Sequence, residues 1–258
     1  MCLILHIATL LLAVELGGTA CPANFNESQS GVCVTHVGVS KTFCEAAKKC
    51  EKNGKSLGLN LFLVGRDATA LAQISPYGRS VVWTGVNQLL ITRNTEGDGW
   101  YDTNPKTPTY TTGTGFPWGA TQPEGNGPVT VYIPSNNKFY DHPAISQLAN
   151  LDVFCQYIDE PSNTVSVANF TTNFPVRLTD LVQTNSRFLG CFLGVVRKST
   201  KLECAMRCAS NSACRSVYIN IVDGRCVLVM YADSLLAWDI AGSGNDWRRF
   251  AKADVLKN

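Results

Sequence analysis

The sequence predicts an α+β protein made of two disulfide-stapled units, and three observations carry that prediction. Ten cysteines lie beyond the first twenty residues, five before residue 160 and five after residue 190. Two Thr-x-x-Glu capping boxes, at Thr42–Glu45 and Thr200–Glu203, each open a helix that carries cysteines. Between these helices the chain is mostly short apolar runs punctuated by Gly, Pro, Thr and Asn, which is the pattern of strands and turns.

Residues 1–20 read as a signal peptide. Leu3 to Val14 is almost wholly apolar, and Glu15 with two glycines leads to the small pair Thr19–Ala20, so cleavage is expected after Ala20. No Lys or Arg precedes the apolar run, a departure from the usual charged start. The run is shorter than the roughly 20 apolar residues a membrane span requires. No later segment qualifies either, so the expectation is a secreted, extracellular chain with no membrane span. The 22 basic and 20 acidic residues are interspersed and leave a formal charge of +2. That balance argues against nucleic acid as the partner. The cysteine density fits a disulfide framework in such a compartment. Zinc is the rival for Cys204 and Cys208 at i, i+4, but the doubled short spacing of a zinc ribbon is absent. Asn26-Glu27-Ser28 and Asn169-Phe170-Thr171 are glycosylation sequons, expected on loops.

The first helix is expected over Thr42–Gly54. Phe43, Ala46, Ala47 and Cys50 share one face, lysines crowd the last turns, and Gly54 provides a stop. A second short helix from Asp67 carries Ala68, Leu71 and Ile74 before Pro76. Residues 159–185, free of cysteine and rich in Thr, Asn, Ser and Val, read as a linker with a strand at Thr164–Val167. The last unit, 186–258, opens on the helix at Thr200. It continues with strands at Ser216–Asn220 and Arg225–Tyr231 joined through Asp223-Gly224.

Several motifs in residues 21–158 occur in the order found in C-type lectin-like domains. Cys21-Pro22-Ala23-Asn24-Phe25 with Gly31-Val32-Cys33 resembles the N-terminal hairpin of long-form members. Phe43-x-x-Ala46-x-x-x-Cys50 resembles the first helix, and Val82-Trp83-Thr84-Gly85-Val86-Asn87 the Trp-x-Gly core strand. Gly99-Trp100-Tyr101-Asp102, Trp118–Gly125 and the closing Val153-Phe154-Cys155-Gln156-Tyr157 follow. The resemblance implies the family's fold of two helices, antiparallel sheets and a long loop, with bridges Cys21–Cys33 and Cys50–Cys155. The family's second internal bridge is missing, Val129 and Ala144 standing near its expected positions.

In sugar-binding members a Glu-Pro-Asn or Gln-Pro-Asp triplet holds calcium and sugar together. Here Gln122-Pro123-Glu124 stands in that place, and Phe139-Tyr140-Asp141 replaces the family's Trp-Asn-Asp strand. The resemblance therefore implies Gln122, Glu124 and Asp141 as calcium ligands. Carbohydrate contacts would come from these three with Asn126 and Tyr140, leaning to a galactose-type site. Calcium takes six to eight oxygens, and three side chains with two charges are a thin set. The usual extra acid is also absent, Gly127 and Pro128 standing there. A lectin-like fold that binds glycan without calcium, or binds protein, is the other reading. Trp83, Trp100 and Trp118 belong to framework motifs and are expected in the core. Tyr101, Tyr110 and Tyr140 are the candidates for sugar stacking.

Glu203-Cys204-Ala205-Met206-Arg207-Cys208 with Cys214, Ser216–Asn220 and Cys226-Val227-Leu228 resembles a PAN/apple-like domain. The resemblance implies bridges Cys204–Cys226 and Cys208–Cys214 and a partner that is protein or carbohydrate. Cys44 and Cys191 are left over. Cys44 cannot reach Cys50, because six helical residues rise about 9 Å and a disulfide needs Cα atoms within about 7 Å. A Cys44–Cys191 bridge between the units is one expectation, and a disulfide-linked dimer is the alternative.

Catalysis is not expected. His36 and His142 lack a neighbouring nucleophile motif, and Glu96 and Asp98 fall in a Gly-rich turn. The expected partners are glycans or glycoproteins, with extracellular proteins as the alternative through the last unit.

Overall fold

The computed structural model describes residues 21–74, 80–91, 95–107, 111–147, 149–159, 168–242 and 245–253. The expected signal peptide, the strand at Thr164–Val167 and Tyr110 lie outside the described residues.

The first half builds one sheet from β1 (Asn26–Glu27), β2 (Cys33–Ser40), β3 (Leu61–Leu63), β4 (Val82–Asn87), β5 (Val129–Ile133), β6 (Lys138–His142) and β7 (Leu151–Tyr157). Its order is β1-β2-β7-β4-β5-β6, with β3 also on β7. β7 pairs antiparallel with β2 and β3 and parallel with β4. Side chains alternate between the two faces of a strand, and both faces of β7 are covered. Val153 and Cys155 pack with Phe43, Ala46, Ala47 and Cys50 of the helix α1 (Phe43–Leu57). Phe154 packs on the other face with Ala68, Leu71 and Trp100.

α1 starts where the capping box places it. Thr42 Oγ1 accepts the Glu45 N–H at 3.1 Å, whereas Glu45 returns its carboxylate through Ser40, whose hydroxyl lies 3.1 Å away and accepts the Thr42 N–H. The helix does not stop at Gly54, as its sequence suggested. Gly54 is buried inside it, and a Cβ there would lie 2.6 Å from the Leu59 carbonyl. Its role is the close approach of the chain returning into β3. The stop is Gly58, in the left-handed region at φ 66°. The expected second helix is a 3-10 segment, Arg66–Gln73, with Ala68 and Leu71 buried.

The second half has a five-stranded sheet in the order β10-β12-β11-β14-β8. Its strands are β8 (Asn169–Thr171), β10 (Cys191–Val196), β11 (Cys214–Asn220), β12 (Cys226–Met230) and β14 (Trp247–Ala253). β9 (Val182–Gln183) pairs in parallel with β13 (Leu236–Ala237). The described part of the expected linker is therefore not a free connector. Asn169–Thr171 adds an edge strand whose Phe170 packs on the cluster that runs into β11, and Val182–Gln183 closes a small ladder whose Val182 packs on a second core. α2 (Lys201–Ala209) carries the full reciprocal capping box of Thr200 and Glu203. A short helix α3 (Trp238–Ala241) leads into the last strand.

Five disulfides join Cys21 to Cys33, Cys44 to Cys191, Cys50 to Cys155, Cys204 to Cys226 and Cys208 to Cys214. The Cys44–Cys191 bond takes both thiols on which the disulfide-linked dimer would rest. It crosses the junction between the halves, where one apolar cluster continues from α1 into α2 and β11. The Leu235 N–H donates to the Leu89 carbonyl at 3.0 Å. Arg215 lies over the Phe62 ring, 5.1 Å from its centroid, and donates to the Thr103 carbonyl at 3.1 Å. His36 sits on β2 and meets Asp152 across the sheet at 2.8 Å.

The bridge between the halves closes a separation of 147 residues. Replacing Cys44 and Cys191 together by alanine is expected to lower stability by about 2–5 kcal/mol. Guanidinium denaturation would show it as a lower midpoint with an unchanged far-UV spectrum.

Candidate recognition site

Between β4 and β5 the chain runs some forty residues without a regular strand among those described, so side chains must satisfy its backbone. Asn87 and Gln88, both buried, use their amides on the carbonyls of Gly85 and Asp98. Asp102 is buried and accepts the N–H groups of Arg66 at 2.8 Å and Asn104 at 3.0 Å. Burial pushes its carboxyl above the usual range, and these two amides counter part of that push. The Trp100 indole N–H donates to the Glu96 carbonyl at 2.8 Å. The Glu96 and Asp98 side chains face solvent, as turn residues do.

The Gln122–Pro123 peptide bond is cis, and the loop that follows turns back on β6. Gln122 Oε1 accepts the Asp141 N–H at 3.0 Å. Asp141 answers with both carboxylate oxygens, Oδ1 taking the Glu124 N–H at 3.0 Å and Oδ2 the Gly127 N–H at 3.2 Å. Asp141 is only 5 % exposed. Glu124 Oε1 accepts from the Asn126 amide, and both these side chains are exposed. Tyr140 lies against Gly119, where an added Cβ would come within 2.5 Å of its ring, and its hydroxyl accepts from Asn136 at 2.8 Å.

The five sequence-predicted residues thus lie on this loop and on the strand β6 beneath it. Asp141 and Gln122 staple the loop to the sheet, each of their oxygens accepting one backbone amide. The implied set holds two charged donors, Glu124 and Asp141. Among the described residues no three His, Cys, Asp or Glu side chains are grouped to hold a metal ion. Gly127 cannot supply the missing acid, since any Cβ there would lie 2.1 Å from the His142 carbonyl oxygen. His142 turns from the loop to pack edge-on against Trp83 at 5.2 Å, with Nδ1 within 2.7 Å of the Pro143 carbonyl. Trp83 and Trp100 are fully buried, and Trp118 packs edge-on against Trp100 at 5.1 Å. Asn26 and Asn169 are exposed, each on a short edge strand instead of a loop.

Tyr101 stands apart from this loop. It lines a cleft of about 60 Å³ at the junction of the halves, which continues into a larger one of about 220 Å³. Thr103, Arg215 and Tyr231 line both clefts. Sequence reading missed these three residues and Asn60, because the cleft exists only where two distant parts of the chain meet. Gly119, Gly127 and Asn136 were missed as supports of the loop; glycine beside an aromatic or a pleat is the only trace they leave.

No family model matches the chain, and no curated protein matches it. Solved structures do. Human lithostathine aligns at 17 % identity over 58 % of this chain and 100 % of its own, with a TM-score of 0.40. A calcium-independent type II antifreeze protein aligns at 18 % identity over 54 % of this chain and 95 % of its own, with a TM-score of 0.35. Human regenerating gene type IV protein aligns at 18 % identity over 54 % and 98 %, with a TM-score of 0.36. These structures are C-type lectin-like domains.

Asp141→Ala would strand the Gly127 and Glu124 amides, at about 1–3 kcal/mol for each group left buried. Glu124→Ala removes only an exposed contact and should change stability by less than about 0.5 kcal/mol. Urea denaturation of the two variants side by side measures both.

Proposed function

We propose that the chain is a secreted, non-enzymatic recognition protein that binds glycans or glycoproteins without calcium. The observation that carries this reading is the self-satisfied loop. Asp141 and Gln122 hold it through backbone amides, so the chain's own groups support its course. A rigid loop presenting exposed Glu124 and Asn126 loses little entropy on binding. Five disulfides and the sequons suit an extracellular route. No described helix is long and apolar enough to cross a membrane.

A second reading, recognition of a protein partner by the PAN/apple-like half, is favoured by α2. Leu202 and Met206, one turn apart, are 70 % and 60 % exposed beside the exposed Lys201 and Arg207. Large exposed apolar side chains grouped on one helix face are a mark of interaction surfaces.

Glycan-array binding of the secreted protein, with calcium and with chelator, tests the first reading. Equal binding in both conditions is expected, together with a melting temperature that excess calcium leaves unshifted, since a ligand of the native state would raise it. Binding that disappears with chelator would restore the calcium site. No binding in either condition, with a protein captured through Leu202 and Met206, would favour the second reading.

A further inference from the structure

Among the described residues, the two most exposed large apolar side chains lie on adjoining segments at one end of the second sheet. Val222 is 75 % exposed and Leu202 70 %. Val222 and Ile221, itself 50 % exposed, form the tip of the hairpin between β11 and β12. The Ser199 N–H donates to the Gly224 carbonyl at 2.8 Å, and Cys204 is bonded to Cys226. Those two links set the first turn of α2, with Leu202, beside the tip.

The tip keeps its shape through backbone groups and polar side chains alone. Asn220 is buried, and its Oδ1 accepts the Val222 N–H at 2.9 Å and the Asp223 N–H at 3.1 Å. Ile221 donates its N–H to the Asp246 carbonyl at 2.9 Å, and Gly224 turns in the left-handed region at φ 71°. None of these bonds uses the side chains of Ile221 or Val222, so the same turn would close over polar residues. Apolar groups displayed at such a place mark a contact surface.

Charge at this end is positive. Segments 197–203 and 221–225 carry Arg197, Lys198, Lys201 and Arg225 against Glu203 and Asp223. Asp239, Asp246 and Arg248, on the segments behind the tip, leave the balance positive. Glu203 is held in the capping box with Thr200, and Asp223 pairs with Arg225 at 2.7 Å. Arg197, Lys198 and Lys201 are exposed. The Arg225 N–H above all holds the Asp223 carboxyl below the usual carboxylate range, and Arg197 adds to that effect, which places its guanidinium near the tip.

The geometry points to a peripheral membrane contact, in which Ile221, Val222 and Leu202 enter the outer edge of a bilayer with anionic headgroups. Arg197, Lys198 and Lys201 then meet the phosphate and carboxylate groups of the lipids. Binding of this kind combines buried apolar area with attraction to anionic lipid. The attraction fades within a Debye length, so the cations must flank the apolar tip, as they do. Three aliphatic side chains are far fewer than the roughly 20–30 residues a side of a stable protein interface, whereas a bilayer needs no complementary shape. A sulfated glycan would use the cations and leave the aliphatic groups in water. The contact takes Leu202 away from the protein surface considered above.

The test is cosedimentation of the full secreted chain with vesicles of phosphatidylcholine alone and of phosphatidylcholine mixed with phosphatidylserine. Binding to the mixed vesicles, and much less to phosphatidylcholine alone, is expected. Ile221→Ser with Val222→Ser should weaken it by about tenfold or more. Lys198→Gln with Lys201→Gln should do the same, by about tenfold or more. All four side chains are exposed, so an unchanged melting temperature in both variants separates lost docking from lost folding. Vesicle binding that survives the loss of Ile221 and Val222 but not of the lysines would overturn the apolar contact and leave a polyanion surface. No binding of the unaltered protein to the mixed vesicles would overturn the membrane contact, whatever protein or sulfated glycan the same residues hold.

Discussion

The Cys50–Cys155 bond and the register of β7 fix each other, and most of the first half hangs on that pair. β7 has β2 along one edge and β3 and β4 sharing the other. A strand's side chains alternate, so slipping β7 by one residue would exchange its two faces. Cys155 would then point toward the 3-10 segment, and Phe154 toward α1. Cys50, on the buried face of α1 one turn beyond Ala46 and Ala47, could no longer reach its partner. The covalent bond therefore selects the register that also puts Val153 against the helix and Phe154 against Trp100 and Leu71. Four strands and both packing layers take their places from that choice.

The long excursion between β4 and β5 shows a different solution to the same problem of satisfying a buried backbone. No sheet is available there, so Asn87, Gln88, Asp102 and Asp141 are buried as hydrogen-bonding brackets instead of as ligands. A carboxylate that accepts two backbone amides is a strong bracket, because charge-assisted bonds are about twice as strong as neutral ones. This accounts for a loop that keeps its course without the second internal bridge. Val129 and Ala144, near where its cysteines would be expected, sit in one apolar cluster.

What could be read from the sequence is local or covalent, and what could not is long-range. The helix start at Thr42 needs only three neighbouring residues, and the hairpin between β11 and β12 closes over Ile221–Gly224, with Gly224 at φ 71°. The helix end was misplaced because two glycines compete. Only tertiary packing tells that Gly54 clears β3 while Gly58 takes the left-handed cap. Gln122, Glu124 and Asp141 could be found as a cluster from their motif. Whether their oxygens face a metal or a backbone amide depends on how the loop lies on β6, which no spacing encodes. The 159–185 stretch reads as a linker because the strands among its described residues are two and three residues long, too short for a periodic signal.

The junction is the place where that limit matters most. Thr103 and Tyr231 come from different halves of the chain, and nothing near either residue marks it. Their meeting is set by the Cys44–Cys191 bond, by Arg215 reaching across to Thr103, and by Leu235 adding its N–H to Leu89. A junction held by one contact would swing, and a cleft in it would open and close with every fluctuation. Three anchors of different kinds, one of them covalent, hold the two walls at a fixed separation before any ligand arrives. A preformed cleft spends less of its binding energy on ordering, so a small ligand with few contacts can still be held.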